Sequence, residues 1–134
     1  MLLIAGGSGV VPLMAMIRHR AAQQSHLPTR LLFSSRSFDD IIYRRELDQL
    51  AADDAALQVF HTLTRSRPPD WTGYQRRIDR AMLAEVTWSP SEQPRIFVCG
   101  PTSLVEGVAS TLVDLGHVPE RIKTERFGAT GGVR

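Results

Sequence analysis

Two short segments of the chain combine a buried-strand pattern with a turn that could bind an anion. The first, Gly6-Gly7-Ser8-Gly9-Val10-Val11-Pro12, directly follows the apolar run Leu2-Leu3-Ile4-Ala5. The second, Cys99-Gly100-Pro101, directly follows Ile96-Phe97-Val98. Open parallel sheets bind nucleotides in the crevice outside the carboxyl ends of their strands. The two segments therefore predict a nucleotide site formed by two neighbouring loops.

Glycines in the first segment let the backbone turn sharply and approach a pyrophosphate closely. The following helix would offer free N–H groups and its positive dipole end to that anion, and Pro12 suits its first turn. The spacing lacks the third glycine of the dinucleotide fingerprint and the Gly-Lys-Ser/Thr of a P-loop. A tight strand–helix connection without a ligand is the alternative interpretation. If the loop does bind a pyrophosphate, Gly9→Val is expected to weaken binding without unfolding the domain.

The elements that would position these loops alternate between strand and helix. Apolar patterns predict strands over residues 2–5, 30–35, 57–62, 95–98 and 122–125, and helices over 12–24, 43–52, 78–85 and 102–115. This alternation predicts an α/β fold, a three-layer αβα sandwich around a five-stranded parallel sheet of order 3-2-1-4-5, as in Rossmann-like nucleotide-binding domains. We assign residues 1–127 to that domain and expect residues 128–134 to form a loose tail.

The composition of the chain argues against several classes of function and binding site. The 134 residues suit one domain, and the net charge of +2 with few aromatic residues argues against a nucleic-acid partner. Cys99 is the only cysteine, which excludes an internal disulfide and a cysteine-cluster metal site and favours a cytoplasmic location. No apolar run is long enough for a membrane span. The four histidines show no metal-ligand spacing and are interpreted as surface or loop residues: His19, His26, His61 and His117.

Polar residues after the second strand are candidates for binding an adenosine ribose. A dinucleotide fold that prefers NAD usually places an acidic residue in this region. Ser35 and Arg36 offer instead a hydroxyl and a guanidinium, which suit a 2′-phosphate. The alternative for Arg36 is a surface ion pair with Asp39 or Asp40. The pair Arg76-Arg77 is interpreted as part of a solvated face.

Taken together and in order, these segments resemble the nucleotide-binding half of the ferredoxin–NADP reductase family. The matching segments are the glycine loop of residues 5–12, residues 39–47 after the second strand, the Cys99-Gly100-Pro101 loop and the ending Glu125-Arg126-Phe127. The resemblance covers nearly the whole chain. It implies hydride transfer between a nicotinamide and a flavin, in which the cofactors do the redox chemistry and the protein positions them.

The resemblance also implies roles for individual residues. Ser8, Cys99 and Glu125 are the candidate catalytic residues, because their equivalents lie at the nicotinamide–flavin contact. The Thr102 hydroxyl is expected to help cap the fourth helix. Arg65 resembles a residue that contacts the adenosine phosphate, with an ordinary loop arginine as the alternative. The implied cofactor-binding residues are Gly6, Gly7, Ser8, Gly9, Pro12, Ser35, Arg36, Thr64, Arg65, Cys99, Gly100, Pro101, Thr102 and Phe127.

One departure from the family concerns the flavin. In the family a flavin domain precedes the nucleotide domain, whereas Met1 falls at the start of the first strand. We therefore expect FAD to come from a separate domain or flavoprotein partner, and the isolated chain neither to retain FAD nor to be active as a reductase.

The leading hypothesis is the NAD(P)H-binding module of a flavin-dependent oxidoreductase, with NADP(H) favoured over NAD(H). A non-catalytic interaction domain or remnant that complements a separate flavoprotein is the first alternative. A flavodoxin-like domain, in which Gly6-Gly7-Ser8-Gly9 binds FMN phosphate, is the second. The Cys99-Gly100-Pro101 loop and the Glu125-Arg126-Phe127 ending argue against the flavodoxin-like alternative.

Overall fold

Five strands and four α-helices alternate along the chain in a computed structural model that describes residues 1–128. Residues 129–134, the greater part of the predicted tail, lie outside the described residues. Among the residues described, no helix combines the length and apolar composition needed to cross a membrane. The elements are β1 (Leu2–Gly6), α1 (Val10–Ala22), β2 (Thr29–Ser35), α2 (Arg44–Asp53), β3 (Leu57–Leu63), α3 (Arg80–Val86), β4 (Ile96–Pro101), α4 (Thr102–Asp114) and β5 (Ile122–Phe127).

All five strands are parallel and lie in the order β3-β2-β1-β4-β5, which confirms the predicted sheet. The central strand β1 is buried along its whole length. Its side chains alternate between the two faces: Leu3 and Ala5 pack in the cluster with α1 and α2, and Leu2 and Ile4 in the cluster with α3 and α4. A strand covered on both faces needs a continuous apolar run, which is why β1 has no polar alternation.

Two strands extend into residues that the sequence pattern placed in loops. β1 continues to Gly6, and β4 continues through Cys99 and Gly100 to Pro101. The β4 residues stay paired with β5, Cys99 with Glu125 and Pro101 with Phe127. The predicted cysteine loop is therefore the end of a strand, and its side chains alternate between the faces of the sheet.

The segment of residues 64–79, which we call the strap, follows the edge strand β3 and leads to α3. Its Trp71 indole N–H donates to the Tyr74 carbonyl at 2.9 Å, and the Trp71 ring packs edge-on against Phe38 at a centroid distance of 6.1 Å. Tyr74 also forms an isolated parallel bridge with Thr62 of β3. These contacts hold the strap along the outer edge of the sheet.

The expectation that the histidines are surface or loop residues is wrong for His61, which lies in a strand. His117 lies in a loop as expected, but it is buried. His61 lies on β3 under the strap, and both of its ring nitrogens are buried without a hydrogen-bond partner in the described part of the chain. Its ring packs against Phe33 and Trp71 at centroid distances of 5.7 and 6.4 Å. His117, which follows α4, is only 4% exposed. Neither position has a spacing pattern that distinguishes a buried histidine from an exposed one.

Candidate functional site

The loop after β1 and the end of β4 approach each other most closely at Gly9, where no Cβ fits. A Cβ at residue 9 would lie 2.2 Å from the Cys99 carbonyl oxygen, and a Cβ at residue 6 would lie 2.7 Å from Leu104 Cδ1. A Cβ at Gly100 would lie 3.2 Å from the Gly6 nitrogen. We call this close approach of Gly6, Gly9 and Gly100 the glycine contact. At Gly9 the loop packs directly on the β4 backbone, whereas Gly6 packs on the side chains of Leu104 and Pro101.

The geometry of the glycine contact corrects the expectation for Gly9. Gly9 is buried against β4, so a valine there would collide with the β4 backbone and destabilise the fold. Gly7 and Ser8 are the exposed residues of the loop. Gly7 has a left-handed φ of +53°, and a Cβ there would meet nothing within 4 Å. The part of the loop that can contact a ligand is therefore Gly7-Ser8, whereas Gly9 packs against β4.

The N-terminus of α1 directly follows this loop. Gly9 occupies the N-cap position without a side-chain hydrogen bond, and the first turn contains no acidic residue. Pro12 is the third residue of the helix and is exposed. The 3-10 turn Gly7–Gly9 runs directly into the helix, so the Val10 N–H donates to the Gly7 and Ser8 carbonyls, and Pro12 has no N–H. The positive end of the helix dipole therefore lies beside Gly7 and Ser8. This arrangement suits a pyrophosphate.

Cys99 and Glu125 are paired in register across β4 and β5 and point to the same face of the sheet. Burial raises the pKa of the Cys99 thiol, and the negative charge of Glu125 raises it further. The thiol is thus held in its protonated form, which argues against a nucleophilic role. Phe127 at the end of β5 is 43% exposed. The Cys99–Glu125 pair and Phe127 therefore lie near an uncovered part of the sheet.

Thr102 does not cap α4 as expected. Pro101 is the N-cap residue, and no side chain caps the helix. The Thr102 hydroxyl instead donates to the Phe127 carbonyl at 3.5 Å, a long hydrogen bond. Because Thr102 is the first residue inside the helix, its side chain ties α4 to the end of β5.

A second region lies beyond β2 and β3, where a cleft of about 440 Å³ opens at the carboxyl edge of the sheet. We call it the arginine cleft, because Arg36, Arg65 and Arg77 line it and no acidic residue does. Arg36 and Arg65 were expected here from the sequence, whereas Arg77 was assigned to a solvated face. The remaining lining residues are Ser34, Thr64, Ile78, Pro101, Ser103, Leu104, Gly107 and Val108.

Backbone hydrogen bonds fix the loops that carry Arg36 and Arg65. The Thr64 N–H donates to the Ser35 carbonyl at 3.0 Å, and the Arg65 N–H donates to the Arg36 carbonyl at 2.9 Å. The parallel ladder between β2 and β3 thus continues past the ends of both strands. The two arginines therefore leave the sheet side by side.

The serine of β2 that lines the cleft is Ser34, one residue before the predicted Ser35. Ser35 is 5% exposed, and its hydroxyl has no hydrogen-bond partner within residues 1–128. Ser34, its neighbour, lines the cleft instead. Since consecutive side chains of a strand point to opposite faces, only one of the two can face the cleft. Of the two serines, Ser34 is the one that sequence reasoning missed.

The alternative ion pairs proposed for Arg36 do not form. Within the described residues, Arg36 has no salt bridge to Asp39 or Asp40. The Asp40 carboxylate accepts instead from the Ser37 hydroxyl at 2.8 Å. The Arg36 guanidinium thus remains available to a ligand in the cleft.

The glycine contact and the arginine cleft are adjacent. Leu104 and Pro101 line the cleft, and both also lie beside Gly6 in the glycine contact. The two regions therefore form one continuous surface along the carboxyl edge, from the loop after β1 to the loops after β2 and β3.

Comparison with known proteins agrees with this geometry. The family of oxidoreductase NAD-binding domains matches residues 3–110. Cytochrome b5 reductase 4 of Rattus norvegicus is 32% identical over 123 residues, 90% of this chain and 24% of that protein. NADH-cytochrome b5 reductase 1 of Pyricularia oryzae is 33% identical over 124 residues, 89% of this chain and 39% of that protein.

A solved structure shows the same arrangement. The flavohaem-like FAD/NAD-binding domain of nitric oxide dioxygenase from Vibrio cholerae superposes with a TM-score of 0.84 at 25% identity. The match covers 96% of this chain and 51% of that one, so the chain spans about half or less of the proteins it matches. The resemblance to the ferredoxin–NADP reductase family is confirmed, and the chain belongs to the oxidoreductase NAD-binding domain family.

Proposed function

We propose that this domain binds NAD(P)H along the carboxyl edge of its sheet and presents the nicotinamide to FAD held by another domain or protein. The observation that carries the proposal is the continuity between the glycine contact and the arginine cleft through Leu104 and Pro101. One end offers the positive end of the α1 dipole, beside Gly7 and Ser8, to a pyrophosphate. The other end offers guanidinium groups to a phosphate on the adenosine ribose.

The adenosine end would occupy the arginine cleft. Ile78 and Leu104 supply an apolar wall for the base, and Arg36 and Arg65 stand where the ribose phosphate would lie. The name of the Pyricularia relative specifies NADH, but this cleft carries unpaired arginines and no carboxylate to bind ribose hydroxyls. We propose that this domain prefers NADPH, because only NADPH carries the 2′-phosphate that guanidinium groups bind by charge-assisted hydrogen bonds.

The nicotinamide end would lie beside Ser8, Cys99 and Glu125. The buried, protonated Cys99 thiol offers a small contact surface to the nicotinamide ring, and exposed Ser8 offers a hydroxyl. We assign Cys99 to packing against the ring and Ser8 and Glu125 to polar contacts with the reacting rings. None of these residues needs to exchange a proton for hydride transfer to proceed.

FAD fits the part of the sheet near Glu125 and Phe127. The residues of β5 from Lys123 to Phe127 are all exposed, whereas β1, β2 and β4 are mostly buried. An edge strand left open in this way leaves room for a partner beside the nicotinamide end. When bound there, FAD would supply the chemistry of accepting the hydride and passing the electrons to the acceptor.

Calorimetric titration of the 134-residue chain with NADPH and NADH tests the binding step. Saturable binding of either dinucleotide supports the proposal, and absence of binding by both would contradict it. A chimaera then tests the reductase role. This domain replaces the NAD-binding half of the Vibrio protein, and flavin reduction by NADPH is followed by absorbance. Binding without flavin reduction in the folded chimaera would favour the non-catalytic alternative.

A further inference from the structure

The two consecutive arginines at the end of the strap have different surroundings. The Arg76 guanidinium donates to both carboxylate oxygens of Asp79, at 2.6 and 3.3 Å, and stacks over the Tyr74 ring. Arg77 forms no side-chain hydrogen bond or salt bridge with the described residues and lines the arginine cleft. Neighbouring residues of the same charge therefore differ in one respect: Arg76 is already paired within the protein, and Arg77 is not.

A buried threonine determines where Arg77 lies. The Thr62 side chain is fully buried on β3, and its hydroxyl donates to the Arg76 carbonyl. The same oxygen accepts from the Arg76 N–H at 3.4 Å. Thr62 is the register partner of Ser34, which lines the cleft. The backbone just before Arg77 is thus held to the end of the sheet, directly beside the cleft.

The charge of the cleft is unbalanced. Arg36, Arg65 and Arg77 line it, and no carboxylate of residues 1–128 does. Three like charges around one concave surface repel each other and raise the local concentration of anions. The hydroxyl groups of Ser34 and Ser103 line the same surface and can donate to an anion, whereas the Thr64 hydroxyl makes a long hydrogen bond of 3.5 Å to the Ser35 carbonyl. These groups suit a tetrahedral phosphate that carries two charges.

We propose that Arg77 is a specificity-determining residue that binds the 2′-phosphate of NADPH together with Arg36 and Arg65. The inference rests on the proposed function and adds to it a residue from the end of the strap that leads to α3. The pyrophosphate of the same ligand would be bound by Gly7, Ser8 and the α1 N-terminus. The arginine cleft is thereby left for the phosphate that distinguishes NADPH from NADH.

Adenosine 2′,5′-bisphosphate and adenosine 5′-monophosphate test this inference, since they differ only in the 2′-phosphate. Calorimetry with the 134-residue chain compares the parent with Arg77→Ala and with Arg76→Ala, a matched variant that removes the same charge one residue away. Arg77→Ala is expected to weaken bisphosphate binding by about tenfold, the effect of a partly exposed charged hydrogen bond. Binding of the monophosphate is expected to change by less than about twofold. Arg77→Lys is expected to restore part of the loss, because it keeps the charge without the guanidinium fork.

Four results would overturn the inference. If Arg77→Ala weakens both nucleotides equally, Arg77 has a general role and does not recognise the 2′-phosphate. If Arg76→Ala weakens the bisphosphate as much as Arg77→Ala does, net charge rather than contact explains the effect. If the monophosphate binds and Arg77→Ala changes neither affinity, this inference alone fails. Absence of binding by both nucleotides and both dinucleotides would overturn it together with the proposed function.

Discussion

The glycine contact and the arginine cleft lie on the same edge of the sheet, but the first depends on backbone atoms and the second on side chains. The centre of the glycine contact is backbone packed on backbone, with Gly9 against the Cys99 carbonyl where no Cβ fits. The arginine cleft consists of long, exposed side chains without protein partners in the described chain. A substitution at the first should therefore change the fold, and a substitution at the second should change what the fold binds.

Gly9→Val is the most severe test of this difference. A valine Cβ would lie 2.2 Å from the Cys99 carbonyl oxygen, and the neighbouring atoms are backbone that cannot rotate away. We expect the free energy of unfolding to fall by at least about 3 kcal/mol, the scale of severe overpacking. Urea denaturation followed by circular dichroism measures the loss.

Gly107→Ala is the matched control for Gly9→Val. A Cβ at Gly107 in α4 meets nothing within 4 Å. Alanine there is expected to stabilise the helix by about 0.5–1 kcal/mol, because glycine is the poorer helix former. If Gly9→Val proved as stable as the parent, the close approach would not be a structural requirement, and the original interpretation of Gly9 as a ligand-facing residue would return.

Thr62→Val tests whether the buried Thr62 hydroxyl, which holds the backbone beside the arginine cleft, also stabilises the fold. The substitution keeps the shape of the buried side chain but removes the hydroxyl that bonds both backbone groups of Arg76. We expect a loss of about 1–3 kcal/mol in the free energy of unfolding, since buried backbone groups lose their partner. Thr72→Val, at an exposed strap position, is expected to change stability by less than about 0.5 kcal/mol.

Hydrogen exchange of the strap amides refines the Thr62 test. Faster exchange of residues 74–77 in Thr62→Val, with β1 unaffected, would show that the hydroxyl holds the strap locally. Uniform exchange across the whole domain would contradict the idea of a local anchor.

The sequence was sufficient for the features that depend on chain order and apolar pattern. The buried run of β1 and the regular alternation of elements predicted the parallel sheet, its order and the two loops that meet at its edge. Arg36 was found because it directly follows β2, whereas Arg65 was found through the resemblance to the family. Position relative to a strand end is a short-range property that a single sequence contains.

Features that depend on exact register or on distant partners were not predictable. The end of β2 at Ser35 was predicted correctly, but the sequence alone does not show which of two consecutive serines faces the cleft. The role of Gly9 depends on Cys99, which is remote in sequence. Arg77 could be distinguished from Arg76 only once the bonds to Thr62 and Asp79 were visible.

Arg36→Ala tests which cofactor the domain prefers, and its expected effect is smaller than those of Gly9→Val and Thr62→Val. It is expected to weaken NADPH binding by about tenfold and to leave NADH binding nearly unchanged, because only NADPH has a phosphate for the guanidinium to bind. Arg45→Ala, which removes the same charge from the exposed surface of α2, is expected to affect neither cofactor. Equal losses for both cofactors in Arg36→Ala would indicate a structural role, and no loss would remove the argument for NADPH.

His61→Phe tests the support of the strap and has the smallest expected effect. Burial lowers the pKa of His61, and the nearby positive charge of Arg44 lowers it further, while the Asp48 carboxylate opposes the shift. The folded chain therefore keeps the ring neutral. Below the ordinary histidine pKa of about 6.5, the unfolded chain binds a proton that the folded chain excludes, so stability falls as the pH decreases.

Phenylalanine removes both this pH dependence and two buried nitrogens that lack partners within residues 1–128. We expect His61→Phe to stabilise the domain by about 1 kcal/mol at pH 8, because the unpaired polar atoms are gone. The advantage over the parent should grow as the pH is lowered towards 5. Denaturation at several pH values measures it, and His61→Leu controls for loss of the aromatic contacts with Phe33 and Trp71.

A stability difference that did not change with pH would mean that His61 is protonated equally in the folded and unfolded chains. The strap would then be open enough to solvate the ring, and Arg77 would not be held as firmly as the Thr62 bonds imply.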